Sequence, residues 1–213
     1  MSQSLGGTHA RIGEPWDDRP HREGTQLEAP TTNAGATIDP VAAPSAYQSL
    51  LLGLLGADDP AEAQRGTAAV LRDLVRDAGP LLRARPAPME WSVLELIGHL
   101  LDGELMAAGR YRWILAHETP SIMPYDQDLF AARLRHNDAD PEELIRPFEA
   151  LAEASLALWA RIPENERARF GIHEERGPES YDMTFRLMAG HNRLHIAQAR
   201  DTLAALRGSE EVN

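Results

Sequence analysis

The chain has 213 residues, 43% of them apolar and 25% charged, with a formal net charge of −12. That is enough for one sizeable core, and no apolar run approaches the roughly 20 residues that span a bilayer. The acidic balance argues against nucleic acid as a partner, and the absence of cysteine excludes disulfides, thiolate metal sites and a protein-borne cysteine nucleophile.

Residues 1–43 are rich in Gly, Pro, Thr and charge without any period. Such a segment cannot bury enough surface to offset chain entropy, so a disordered tail is expected. Its start lacks a basic patch followed by an apolar core, so no signal peptide is expected and the cytoplasm is the expected location. His9 and His21 lie in this tail as incidental residues, and Trp16 is the one residue there suited to docking.

A helical domain is expected over 44–208, followed by a short tail at 209–213. A short apolar helix runs from Ala46 to Leu55 and stops at Gly56. Asp59 is the N-cap and Pro60 the first residue of a helix ending at Gly79-Pro80. Ser92 and Glu95 form a capping box that starts a helix reaching His117. Asp140, Pro141 and Glu143 repeat the start signal for a helix ending near Pro163, and the last helix runs from near Ser180 to Gly208. No segment shows sustained two-residue alternation, so strands are not expected. The fold class is therefore all-α: a four-helix bundle with an extra short N-terminal helix. The long connection from Glu118 to Asp140 is a candidate lid or wall of an active site.

His191 and His195 stand four apart in the last helix and so share one face, about one turn apart. Arg186, Arg193, Arg200 and Arg207 recur every seven residues on the opposite side, which reads as a solvated face and turns both histidines inward. Two readings follow: core histidines satisfied by hydrogen bonds, or joint ligands of one cation. His99, on the Ser92 helix, is the third candidate, and three imidazoles leave a coordination position open on a divalent metal. Beside it, Gly103 offers space over the imidazole, and Glu95 or Asp102 could orient a ligand histidine, although the capping box claims Glu95 first. His117 shares the His99 face but lies about 27 Å along the helix. His136 and His173 fall in loops, where either could approach a substrate and solvent exposure is the default. Arg110, also near the His99 face, either anchors a substrate carboxylate or pairs with an acid of the bundle; the second is the ordinary expectation.

Two sharper motifs are missing. Asn192 stands where a zincin H-E-x-x-H run needs its glutamate, and no Glu-x-x-His pair of the di-iron kind occurs. Any site here is mononuclear. Helix 92–117 is apolar nearly all round, with Leu94, Leu101, Leu105 and Ala108 away from His99. That second face requires cover from either the 46–55 helix or a second subunit, so a homodimer is expected.

The run Trp91-Ser92-Val93-Leu94-Glu95 through His99-Leu100-Leu101-Asp102-Gly103-Glu104 resembles the W-S-x-x-E-x-x-x-H-L-x-D-x-E signature of the DinB/YfiT-like superfamily of four-helix-bundle metalloproteins. Arg169-Phe170-Gly171-Ile172-His173, Gly177, Met183-Thr184 and His191-Asn192-Arg193-Leu194-His195 through Gln198 are similar to its C-terminal pattern. The likeness covers roughly residues 46–206. It implies one divalent metal, nickel, zinc or iron, held by His99, His191 and His195. It also implies a transferase, hydrolase or isomerase acting on a small molecule, with a low-molecular-weight thiol as co-substrate. Asn192 departs from the aspartate many members carry, which leaves the ligands intact. The competing class is a non-catalytic metal-binding or protein-interaction bundle.

Overall fold

The computed structural model describes residues 38, 40 and 42–210. The tail expected over 1–43 lies almost wholly outside the described residues, as do 211–213.

Among the described residues there are seven α-helices: α1 (Pro44–Leu55), α2 (Pro60–Gln64), α3 (Thr67–Ala78), α4 (Val93–Ala116), α5 (Gln127–Arg133), α6 (Pro141–Arg161) and α7 (Tyr181–Glu210). The expected starts hold where side chains satisfy free backbone N–H groups. Asp59 accepts from the amides of Ala61 and Glu62, Ser92 and Glu95 cap each other's backbone, and Asp140 does the same with Glu143. One expectation fails. The helix read as continuous from Asp59 to Gly79 breaks after Gln64, because Gly66 adopts a left-handed φ of 73° and starts α3 afresh.

Strands are also present, contrary to expectation. β1 (Ser121–Ile122) pairs in parallel with β2 (Phe170–His173), which pairs antiparallel with β3 (Gly177–Ser180). Each is too short for an alternating pattern to register. The sheet exists because the α4–α5 and α6–α7 connections meet in space, with Ser121 opposite Ile172 and His173 opposite Gly177. Gly171, His173 and Glu179 face inward from it, and all three are buried. The connection from Glu118 to Asp140 is thus built from β1, α5 and a tight turn at His136–Asp138.

Two apolar clusters fill the bundle. One gathers Val93, Leu96, Ile97 and Leu100 of α4 with Ala199 and Leu203 of α7. The other gathers Ala107, Tyr111 and Ile114 with Tyr181, Phe185 and Met188. The order of these residues makes α4 and α7 antiparallel and leaves His99, His191 and His195 near the junction of the clusters. In the second cluster Trp159 stacks on Phe185 at 4.1 Å between centroids.

α1 packs on α7 through Leu51, Leu187 and Leu194, so it does not cover the second face of α4. Leu94 and Ala108 are buried within the bundle itself, while Leu105 and Trp113 stay exposed. The arginine face of α7 is only partly solvated. Arg193 donates to the carbonyls of Leu54 and Leu55 and pairs with Asp58, which clamps the end of α1.

Candidate functional site

α4 and α7 bring the three expected histidines together. The Nε2 atom of His99 lies 3.0 Å from Nε2 of His191 and 3.2 Å from Nε2 of His195. All three side chains are buried. Ligands at about 2.05 Å around a tetrahedral zinc ion stand about 3.3 Å apart, so the spacing fits three nitrogens converging on one ion. His99, His191 and His195 are a group of side chains able to hold a metal, with one ring nitrogen each.

Burial favours the neutral imidazoles that ligation requires. It pushes His99 and His191 well below the ordinary histidine range, and the neighbouring imidazoles push both further. Burial takes His195 down to about 4, partly opposed by its bond to Gln198. That bond, Nδ1 to Oε1 at 2.8 Å, sets the tautomer: the amide oxygen accepts, so Nδ1 carries the hydrogen and Nε2 presents its lone pair. Trp91 walls the cluster, its ring 5.0 Å from that of His99.

The neighbours of the cluster differ from expectation. Gly103 does not leave an open space for a ligand: the ring of His191 fills it, and a Cβ at Gly103 would lie 3.1 Å from His191 Cε1. Glu95 keeps to the capping box and pairs with Arg85. Asp102 serves no histidine of the cluster. It binds Nε2 of His136 at 2.8 Å, and both are buried. His136 is therefore not on the surface; its ring rests on Gly98, where any Cβ would come within 2.3 Å of Cγ. An unexplained glycine beside His99 was the one local hint of it. His117 is exposed and bonded to the Trp113 carbonyl, apart from the cluster as expected.

His173 is likewise buried, 1% exposed, through its place on β2. Burial and the charges of Arg176 and Arg110 push it down to about 4. Next to it, Glu179 is held by Arg176 through contacts of 2.7 and 3.1 Å and by the Thr184 hydroxyl at 3.0 Å. Burial works against its charge, but Arg176 and Thr184 keep the carboxyl below its usual value. Arg110 finds no acid partner among the described residues, contrary to the ordinary expectation. One of its Nη atoms donates to the Met123 carbonyl at 3.0 Å, and its buried Nε has no acceptor.

An all-α bundle with three inward imidazoles on two antiparallel helices defines a class of helical candidate metalloproteins. The model of the DinB superfamily matches residues 61–199, and the chain belongs to that superfamily. It is 25% identical over 119 residues to a candidate metal-dependent hydrolase of Oceanobacillus iheyensis, covering 56% of this chain and 68% of that protein. It is also 25% identical over 108 residues to Bacillus subtilis YfiT, named as a candidate metal-dependent hydrolase, covering 50% of this chain and 61% of YfiT. The chain thus spans between three fifths and about two thirds of the relatives' length. The solved structure of YfiT, described as a four-helix bundle of unusual topology, superimposes with a TM-score of 0.61 at 19% identity, over 84% of this chain and 94% of that one. That likeness concerns the fold. No helix of the described residues is long and apolar enough to cross a membrane. The metal-dependent relatives and the three-histidine cluster together support a divalent metal in this chain.

Proposed function

We propose that His99, His191 and His195 hold one divalent transition metal and that the chain is a metal-dependent enzyme acting on a small electrophilic molecule. The observation that carries this reading is the convergence of three buried Nε2 atoms within 3.0 and 3.2 Å of one another through His99. A divalent ion held by these three imidazoles would supply Lewis acidity, favouring the deprotonated form of a bound water or thiol. The chain supplies the rest. Gln198 holds His195 in the ligating tautomer, Trp91 packs against His99, and burial keeps the imidazoles unprotonated. The resemblance to the DinB/YfiT-like superfamily implies a low-molecular-weight thiol, so we favour its transfer, with hydrolysis as the closest alternative; in a chain without cysteine that thiol has to arrive as a co-substrate. The relatives' names support hydrolysis. A homodimer belongs to this reading, and the exposed Leu105 and Trp113 of α4 are the surface it would use.

Elemental analysis of protein purified without a histidine tag tests the ligand set: close to one nickel, zinc or iron per chain is expected. His195→Ala should lose that stoichiometry while circular dichroism stays helical. Full metal retention in the variant removes His195 from the set. Thiol-dependent loss of an electrophile, abolished by chelation, separates an enzyme from a bundle that only stores metal.

A further inference from the structure

Among the described residues, the N–H groups of His173 and Arg110 are buried with nothing to accept them. Nδ1 of His173 accepts from the Glu175 amide at 3.2 Å, so the hydrogen of the neutral ring sits on Nε2. Nε2 is buried and has no partner. Arg110 Nε is the second such donor. Leaving a buried donor unmade is costly, so the two together point to an acceptor that binds there.

Arg110 stands on the cluster's side of its helix. Arg110 lies on the His99 face of α4, two turns or about 10 Å beyond Gly103, against which His191 packs. Met123, whose carbonyl Arg110 holds, belongs to the α4–α5 connection, and His173 enters from β2. Three otherwise separate pieces of chain therefore meet at this point.

The charge balance is also incomplete. Glu179 is spent on Arg176, Thr184 and, at 3.4 Å, the Gln48 amide. One carboxylate thus faces the two cations Arg110 and Arg176, and burial and Arg176 both hold Arg110 below the ordinary arginine value. A half-buried guanidinium with no acid partner is stabilised by an incoming anion.

We propose that Arg110 and His173 form an anion subsite next to the three-histidine cluster and that the substrate or its thiol carries a carboxylate there. This rests on the metal-dependent reading for its role but not for its existence. A carboxylate suits N–H donors of an arginine and an imidazole, and His173 pairs with Ile122, next to the Met123 whose carbonyl Arg110 holds.

The test uses the full chain, zinc-loaded and chelator-treated, with calorimetric titration of 6-mercaptohexanoate against 6-mercaptohexanol and of hexanoate against hexanol. The acid should bind at least about 10-fold tighter than the alcohol of equal length, and Arg110→Gln should reduce that preference to about threefold or less. Equal binding of acid and alcohol by the unmodified chain overturns the subsite, as does an undiminished preference in a folded R110Q. Because Arg110 also holds the Met123 carbonyl, His173→Phe provides a second variant that leaves this bond intact. It too must weaken the preference, and an unchanged preference in it removes His173 from the subsite. Metal-free protein that prefers hexanoate, with zinc adding nothing for either thiol, keeps the subsite and defeats the three-histidine reading. Zinc that tightens both thiols equally, with no gain for the acid, does the reverse.

Discussion

Glu104 sits fully buried in α4 with a single partner, the Ser155 hydroxyl at 2.8 Å, and its other carboxyl oxygen has none. Burial raises its pKa from 4.5 to about 7, against smaller opposing effects of Ser155 and Arg112. At about 1.4 kcal/mol per pH unit, that rise makes the ionised side chain cost the fold about 3 kcal/mol. The native state holds this proton more tightly than the unfolded chain between those two values, so stability falls as pH rises through the interval. Below 4.5 the group contributes no penalty, and above about 7 the penalty is complete. Glu104→Gln removes the ionisation and keeps the acceptor for Ser155. Urea unfolding of both proteins at pH 5 and pH 8 should show the variant gaining on the native chain by roughly 2–3 kcal/mol across that range. The comparison between proteins cancels the buried histidines, whose depressed values act the opposite way, with stability lost as pH falls below 6.5. Parallel pH profiles for the two proteins would refute the assignment of a neutral, proton-holding Glu104.

Two further outcomes test the frame and the tuning of the cluster. Gly190→Ala would place a Cβ 2.1 Å from the Leu51 carbonyl oxygen, a backbone atom that cannot rotate away, so α1 must lift off α7. A loss of about 1–3 kcal/mol in chemical denaturation is expected, and an unchanged midpoint would mean that α1 does not seat there in solution. Gln198→Ala frees Nδ1 of His195 and leaves its tautomer unset. Zinc titration with a competing chelator should show affinity reduced by about 10- to 100-fold at near-normal stoichiometry, and unchanged affinity would remove Gln198 from its orienting role.

Much of the frame was legible because its signals are local. A capping side chain and the amide it satisfies lie within three residues of each other, so Asp59, Ser92 and Asp140 announce their helices in any context. The four-residue spacing of His191 and His195 places both on one face by helix geometry alone. Gly66 defeated the reading because one left-handed residue interrupts a helix whose flanking pattern still looks continuous.

His136 and His173 were misread for a different reason. Whether a loop histidine is buried depends on what covers it, here Gly98 of α4 in one case and the paired connections of a small sheet in the other. The partner of Asp102 is 34 residues away, and the carboxylate that binds Arg176 is placed by a hairpin no alternating pattern foretold.

The amino-acid sequence by itself determined the helix starts at Asp59, Ser92 and Asp140 and the inward pairing of His191 with His195, since each follows from interactions spanning one or two turns. Only the tertiary structure decided that His99 meets that pair, that Arg110 has no acid partner among the described residues and that His173 is buried. Those facts depend on distances between segments far apart in the chain, which packing sets and local periodicity does not encode.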